Sequence, residues 1–218
     1  EDYLKKVVNI VGARPNFMKI APIHDGLRSS LKFEPVLIHT GQHYDRSMSK
    51  TFFEDLKMVE PDIYLGVGSG THAEQTGAVM MNLEKVIDSF KPDLVIVVGD
   101  VNSTLAAALV ASKANIPIAH VEAGLRSFDR TMPEEINRLC TDALSGFLFV
   151  TEKSGQDNLI KEGIDKNKIH FVGNVMIDSL ISHLEITKTA NIIKKLSLKS
   201  GIYGLITLHR PSNVDNQA

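Results

Sequence analysis

The sequence has few of the features that mark secreted or membrane-bound proteins. It contains a single cysteine, Cys140, so no internal disulfide can form, and we expect a buried thiol because the residue lies in a helical pattern beside Leu139 and Leu144. No apolar run reaches the roughly 18 residues that cross a membrane, and the first residues are acidic where a signal peptide would be basic. We therefore expect a cytoplasmic protein in a reducing compartment.

An excess of charge of one sign is also lacking. The formal net charge is −2 over 218 residues, which gives no concentrated basic footprint for DNA, RNA or an anionic membrane. We expect neither nucleic acid nor a membrane among the partners. The hydrophobic content of 43% in a chain of this length is enough for a substantial core and for part of a second domain.

Signatures of a bound cofactor or metal are missing. The glycines of segment 66–70 superficially resemble a dinucleotide fingerprint, but the segment follows no strong strand and lacks the terminal glycine. The turn after the first predicted strand has no G-x-G-x-x-G pattern either. His120 and Glu122 lack a third metal ligand at a recognisable spacing. The sequence therefore predicts chemistry that uses no cofactor and no metal.

The chain does contain a regular alternation of apolar strands and amphipathic helices. The predicted strands are Lys6–Val11, Pro35–Thr40, Asp93–Gly99, Ile116–Ala119, Phe147–Val150 and Ile169–Val172. The predicted helices are Pro15–Ser29, a segment ending at Leu56, Thr71–Phe90, Asn102–Ala114, Pro133–Leu144 and Ser154–Glu162. This alternation is typical of an α/β protein with a doubly wound parallel sheet.

The pattern changes after Gly173. We predict a helix over Asn174–Leu184, a polar connection over Glu185–Thr189, one or two helical turns over Ile192–Leu198 and a new strand over Leu205–Leu208. We therefore expect an N-terminal Rossmann-like domain over residues 1–173. Residues 174–218 would hold a linker helix and the start of a second Rossmann-like domain.

Polar side chains follow the ends of four predicted strands: Arg14 and Lys19, then Gln42 and His43, then Asp100, and finally Glu122. Because the carboxyl ends of parallel strands share one crevice, we expect these side chains to meet there. Cations beside a helix start suit a phosphate group. Each residue alone also has a simpler explanation: the two cations as surface residues, Asp100 as a helix cap and His43 as a structural histidine.

The stretch from His120 to Arg138 gathers carboxylates, arginines and a histidine directly after an apolar strand. We interpret it as the active-site loop, with Glu122 projecting into the crevice. Its second half opens a helix, because Pro133 suits a first turn and acidic residues there face the positive end of the helix dipole. The alternative is a salt-bridged surface loop, since most charge clusters are solvated.

Strand alternation predicts the orientation of Glu122. It places His120 and Glu122 on one side of the strand and Val121 on the other, while Gly124 lets the backbone turn away. A carboxylate placed in this way has little freedom, as a catalytic group requires.

Several motifs together resemble one enzyme family. They are Gly12-Ala13-Arg14-Pro15 with Lys19, Thr40-Gly41-Gln42-His43, Gly99-Asp100, HVEAGLR at 120–126, PEEINR at 133–138 and His209-Arg210. In this order they resemble the non-hydrolysing UDP-N-acetylglucosamine 2-epimerases, and the resemblance covers essentially the whole chain. It implies two Rossmann-like domains related to GT-B glycosyltransferases, an active site in the cleft between them, and a second domain that continues beyond Ala218.

The resemblance also implies an activity and a set of site residues. The activity is the interconversion of UDP-GlcNAc and UDP-ManNAc for cell-surface polysaccharide biosynthesis by a homodimer, through elimination of UDP to 2-acetamidoglucal and re-addition. The catalytic positions would be Asp100, Glu122, Glu134 and His209. The substrate-binding positions would be Arg14, Lys19, Gln42, His43, Arg138 and Arg210. Which carboxylate serves which face of C2 is left open.

Two other functions fit the same sheet. A GT-B-like glycosyltransferase would use a similar nucleotide-sugar cleft but would need an acceptor. A nucleotide-sugar-binding module would bind UDP without turnover.

Overall fold

A computed structural model describes residues 4–41 and 59–207 of the chain. It contains a seven-stranded, fully parallel sheet in the order β3-β2-β1-β4-β5-β6-β7. The strands are β1 (Lys5–Val11), β2 (Phe33–His39), β3 (Ile63–Tyr64), β4 (Leu94–Val98), β5 (Ile118–Val121), β6 (Phe147–Val150) and β7 (Ile169–Phe171). The predicted α/β doubly wound class is confirmed.

Most of the helices lie between successive strands of the sheet, and the last two follow β7. They are α1 (Arg14–Ser29), α2 (His72–Phe90), α3 (Asn102–Lys113), α4 (Pro133–Leu144), α5 (Lys153–Lys161), α6 (Val175–Thr189) and the short α7 (Ile192–Lys195), with a 3-10 turn over Lys166–Lys168. The six predicted strands are confirmed with ends shifted by no more than two residues. The strand β3 was missed because two residues cannot show an alternating pattern.

Both faces of the sheet are covered by helices. One core cluster packs Val8, Ile10 and Val97 against α2 and α3, and the other packs Val7 and Val98 against α1. The continuous apolar runs of β1 and β4 reflect this burial on both sides. Side chains of neighbouring positions in a strand therefore enter different clusters.

Local hydrogen bonds explain the start of α2 and the proline within α1. Thr71 and Glu74 form a reciprocal capping box that starts α2, with Thr71 Oγ1 accepting from Glu74 N at 3.3 Å and Glu74 Oε2 accepting from Thr71 N at 2.8 Å. In α1, Pro22 has no N–H to donate to the carbonyl of Met18, four residues earlier. The Ser179 hydroxyl of α6 donates to that carbonyl instead, so the carbonyl keeps a hydrogen-bond partner.

The prediction of a buried cysteine was wrong, because Cys140 is exposed. The buried face of α4 is made by Glu135, Asn137, Thr141 and Asp142. At 3.6 residues per turn, Cys140 lies about 200° around the helix from Asp142 and points to solvent. The sequence pattern misled because this helix buries polar side chains instead of apolar ones.

Two predictions for the later part of the chain were also wrong. The helix α6 continues through Thr189, so Glu185–Thr189 is not a polar connection, and Glu185 pairs with Lys188 at 2.6 Å along the helix. The described residues of the predicted strand Leu205–Leu208 are not in a strand, and Leu205 is 92% exposed. A strand requires a neighbouring strand for its hydrogen bonds, and no described residue supplies one there.

The chain divides into two compact units after Ile181. The first unit holds the sheet and its helices, and the second begins at Ser182. None of the helices in the described ranges is long and apolar enough to span a bilayer. The expected domain boundary at Gly173 stays a prediction.

Candidate active site

The order of the strands places a crevice between β1 and β4. The chain runs from β1 outward to β2 and β3 on one side, and through β4, β5, β6 and β7 on the other. Ligands of open α/β sheets bind outside the carboxyl ends of the strands at such a reversal of strand order. The loops that start at Gly12 and Gly99 border this crevice.

Asn16 holds these two loops together. Its Oδ1 accepts from the backbone N–H of Gly12 at 3.1 Å and of Ala13 at 2.9 Å, and its Nδ2 donates to the Val98 carbonyl at 3.2 Å. The side chain is buried, so these bonds are shielded from water. Asn16 was not predicted as a site residue. Its place in the first turn of α1 was a signal, because asparagine there often bonds the backbone of the preceding turn.

Lys19 and Glu122 meet at the end of β4. The Lys19 ammonium donates to Glu122 Oε2 in an ion pair whose side chains are 15% and 18% exposed. Gly99 takes a left-handed backbone with φ of +71°, and a Cβ added there would lie 3.6 Å from both Glu122 Oε2 and Lys19 Nζ. Both distances are ordinary contacts, whereas Asn16 Nδ2 would lie closer, at 3.3 Å, so the left-handed backbone and the packing of Asn16 are what favour glycine at this position.

The prediction that strand alternation places His120 and Glu122 on the same side was wrong. The strand β5 ends at Val121, and Glu122 takes the left-handed region with φ of +73°. The alternation stops there, so Glu122 contacts Lys19 of α1 whereas His120 contacts Asp142 of α4 on the other face of the sheet. A non-glycine residue in this region is strained, and such strain clusters at functional sites.

Asp100 forms a second pair of opposite charges in the same crevice. Arg138 Nη1 donates to Asp100 Oδ2 at 2.6 Å, and Arg138 Nη2 lies 2.8 Å from Glu135 Oε2. Asn137 Nδ2 donates to the Asp100 carbonyl at 2.8 Å. The first two turns of α4 thus hold both the backbone and the carboxylate of Asp100.

Glu135, which was not predicted as a site residue, anchors the loop before α4. Its carboxylate accepts from the backbone N–H of Ser127 at 2.9 Å and of Phe128 at 3.0 Å. Burial favours the neutral form of Glu135, but the bonds from Ser127, Arg138 and Phe128 outweigh it and lower the pKa of Glu135 below its ordinary value. The sequence signal was the acidic pair that opens α4, which by itself did not distinguish Glu135 from Glu134.

The other predicted site residues are placed as follows. Glu134 is exposed in the first turn of α4, and no hydrogen bond or ion pair joins it to another described residue. Arg14 begins α1. Gln42, His43, His209 and Arg210 lie outside the described residues, as does the helix predicted to end at Leu56. Within residues 4–41 and 59–207, no three metal-binding side chains form a cluster.

His39 supports the start of the loop that leads to Gln42. It ends β2 and is 2% exposed, and its Nδ1 accepts from the Gly41 N–H at 2.6 Å. Its ring stacks on Tyr64 with centroids 5.6 Å apart. Burial lowers the pKa of His39 from 6.5 to about 4, so the ring is neutral in the folded protein near neutral pH.

This buried histidine predicts a loss of stability in acid. Between pH 6.5 and about 4, His39 binds a proton in the unfolded chain but not in the folded protein. The stability that neutral His39 contributes is therefore fully present above pH 6.5 and is lost as the pH is lowered toward 4. The loss from His39 is expected to reach roughly 3 kcal/mol. Urea unfolding across this range measures it, and burial of His24, whose pKa is also lowered, adds to the slope. A His39→Gln variant should show a shallower slope, and titration of His39 near 6.5 by NMR would contradict the prediction.

Comparison with known proteins agrees with the motifs. The family model described as UDP-N-acetylglucosamine 2-epimerase matches residues 25–218. The UDP-N-acetylglucosamine 2-epimerase of Methanococcus maripaludis is 48% identical over 97% of this chain and 58% of its own length. The UDP-2,3-diacetamido-2,3-dideoxy-D-glucuronate 2-epimerase of Pseudomonas aeruginosa is 45% identical over 97% of this chain and 59% of its length.

A solved structure shares the fold. The crystal structure of Methanocaldococcus jannaschii UDP-GlcNAc 2-epimerase, in complex with UDP-GlcNAc and UDP, has a TM-score of 0.88 and 47% sequence identity, covering 97% of this chain and 58% of the other. The chain thus spans somewhat more than half the length of the relatives that it matches. The resemblance inferred from the strand-end motifs is confirmed, and the chain belongs to the UDP-N-acetylglucosamine 2-epimerase family.

Proposed function

We propose that this chain forms the catalytic half of a non-hydrolysing UDP-N-acetylglucosamine 2-epimerase that interconverts UDP-GlcNAc and UDP-ManNAc. The observation that carries the proposal is the convergence of the Lys19–Glu122 pair and the Arg138–Asp100 pair at the reversal of strand order. Each pair offers a carboxylate for proton transfer and a cation for phosphate. A catalytic half of this kind needs both at one sheet edge.

The chemistry accounts for these residue types. The proton on C2 of the sugar has no adjacent carbonyl and is poorly acidic, so breaking the C1–O bond assists its removal. In the elimination, the C2–H and C1–O bonds break and a C1=C2 double bond forms. The proton passes to a carboxylate, and the C1–O electron pair leaves with UDP. Protonation of the opposite face of C2 in 2-acetamidoglucal and re-addition of UDP at C1 then give the other epimer.

Asp100 and Glu122 supply the two partly buried carboxylates that such a reaction requires. Glu134 lies exposed at the positive end of α4 and is proposed as a third group that meets the sugar. Lys19 and Arg138 are proposed to turn toward the leaving diphosphate, where preformed cations stabilise the developing charge. The remaining roles are proposed from the resemblance. His209 is a catalytic group, and the substrate contacts are Arg14, Gln42, His43 and Arg210.

The carbohydrate part of the substrate has a second candidate. The Pseudomonas aeruginosa relative acts, by its name, on a diacetamido-glucuronate sugar, and its identity of 45% lies close to the 47% of the Methanocaldococcus jannaschii enzyme. Both reactions invert a C2 carbon that bears an acetamido group, so the same carboxylates would serve. Parallel turnover assays with UDP-GlcNAc and with the diacetamido-glucuronate nucleotide distinguish the two, and we expect UDP-GlcNAc to be preferred.

Isotope exchange tests the mechanism. Protein expressed from its native reading frame and incubated with UDP-GlcNAc in deuterium oxide is expected to place deuterium at C2 of both epimers, because the proton removed is replaced from solvent. Mass spectrometry and proton NMR of the recovered nucleotide sugars measure the exchange. Interconversion with protium retained at C2 would contradict elimination.

The same experiment separates the alternatives. A GT-B-like glycosyltransferase would leave UDP-GlcNAc unchanged until an acceptor is added, whereas a binding module would bind UDP in calorimetry and never produce UDP-ManNAc.

We further propose a homodimer in the cytoplasm that supplies cell-surface polysaccharide biosynthesis. We also propose that a second Rossmann-like domain begins within residues 174–218.

A further inference from the structure

A fully buried histidine lies behind the two proposed catalytic carboxylates. The His120 side chain is 0% exposed, with Nδ1 2.6 Å from Asp142 Oδ1 and Nε2 2.8 Å from the Gly99 carbonyl oxygen. A carbonyl oxygen can only accept a hydrogen bond, so Nε2 carries a hydrogen and donates it. An ionised carboxylate likewise only accepts, so with Asp142 ionised Nδ1 also carries a hydrogen.

The surroundings keep Asp142 ionised. Its second oxygen lies 2.8 Å from Arg126 Nη2 and accepts from the Gly124 N–H at 3.1 Å. Burial favours the neutral acid, but His120 and Arg126 outweigh it and lower the pKa of Asp142 below its ordinary value. Both ring nitrogens of His120 therefore face acceptors, and the ring is an imidazolium.

The charges of His120, Arg126 and Asp142 are balanced within one chain of contacts that reaches the surface at Glu162. Arg126 donates from Nε to Glu162 Oε1 at 2.7 Å, and its Nη2 lies 2.6 Å from Glu162 Oε2. Two cations, His120 and Arg126, thus alternate with two carboxylates, Asp142 and Glu162. Such pairing offsets the desolvation free energy of a buried imidazolium.

This chain of contacts connects the two strand ends of the site. His120 donates to the carbonyl of Gly99, the residue directly before Asp100. Asp142 accepts from the N–H of Gly124, two residues after Glu122. We propose that the His120–Asp142 pair is a positioning device that fixes Asp100 and Glu122 relative to each other. His120 touches no substrate in this role, and the proposal rests on the epimerase function proposed above.

The protonation state can be measured without turnover. In the protein expressed from its native reading frame with 15N-labelled histidine, both ring nitrogens of His120 are expected at protonated-type shifts. His24 is the internal reference, because it is 2% exposed and its Nδ1 faces the Asn9 amide at 3.2 Å, which suits a neutral ring. A neutral tautomer for His120 would overturn the proposal.

Three variants test positioning against simple stability. His120→Leu removes both donors and is expected to lower kcat roughly 10–100-fold with little change in KM, as for misplaced catalytic groups. His120→Gln, whose amide can still donate toward Gly99, is expected to recover part of kcat. The matched control His24→Gln alters another buried histidine and should reduce stability without lowering kcat. A folded His120→Leu protein with the wild-type kcat would overturn the proposal.

Amide hydrogen exchange distinguishes failure of the positioning proposal from failure of the proposed epimerase function. Amide hydrogen exchange at Gly99 and Gly124 is expected to accelerate together in His120→Leu and not in His24→Gln. If His120→Leu does not fold, Asp142→Asn, which preserves shape, is measured in the same way and should loosen both amides. Unchanged exchange at either amide would overturn the positioning proposal. If the wild-type protein has no epimerase activity but exchange at Gly99 and Gly124 still accelerates together in the variant, only the proposed function is overturned.

Discussion

Replacing Glu122 with glutamine is expected to lower epimerase turnover by roughly 10²–10⁴ while the fold and the affinity for UDP are retained. The amide keeps the shape of the side chain but cannot take the proton from C2. Glu122 lies after the end of β5 and beside Lys19, in a crevice where its side chain is 18% exposed. Deuterium exchange at C2 should fall in parallel with turnover, because both depend on the same proton transfer.

The control for this variant is Glu84→Gln, the same chemical change on the exposed side of α2. Circular dichroism and urea unfolding report folding, and calorimetry with UDP reports binding. Glu122→Gln also removes one charge of the Lys19 pair, so a modest change in stability is expected. If the folded variant turns over like the wild type, Glu122 has only a structural role.

The second large effect is expected from Gly124→Ala, which should destabilise the protein by about 2–5 kcal/mol, the sum of a left-handed backbone cost and an overpacking cost. Gly124 has φ of +80°, and an added Cβ would lie 2.3 Å from the carbonyl oxygen of Gly155 in α5. That carbonyl belongs to a buried backbone contact and cannot rotate away. The loop carrying Glu122 would have to separate from α5, so turnover should fall as well.

A matched glycine separates the two contributions. Gly163 has a similar φ of +84°, but an added Cβ there would meet nothing within 4 Å. Gly163→Ala is therefore expected to cost no more than about 1–2 kcal/mol, from the backbone alone. Urea unfolding of both variants measures the difference. Equal losses for the two would show that the close approach of Gly124 and Gly155 contributes nothing.

The fold was predictable because its signals are local. The apolar runs of β1 and β4 mark strands buried on both faces, and the alternation with helices of ordinary length indicates a parallel sheet. The start of α2 follows from its capping box, and the start of α4 from a proline in the first turn. These features act within a few residues of chain, so a single sequence contains them.

The partners of the site residues were not predictable. Lys19 and Glu122 are 103 positions apart, and Arg138 and Asp100 are 38 apart, so their pairing depends on the order of strands in the sheet. Asn16, Glu135 and Asp142 were overlooked because each bonds mainly to backbone groups or to charges from distant segments. The sequence signals an amide or a carboxylate but not the atoms that it faces.

The sequence by itself determined six of the seven strands and the helices between them, which polar residues follow strand ends, and which family the motifs resemble. Only the tertiary structure decided that Glu122 turns toward α1, that Arg138 is shared by two carboxylates, and that His120 is buried between two acceptors. The physical reason is that periodicity and capping are properties of neighbouring residues. A positive φ after β5, a close contact between two glycines and a buried charge network exist only once the sheet brings distant segments together.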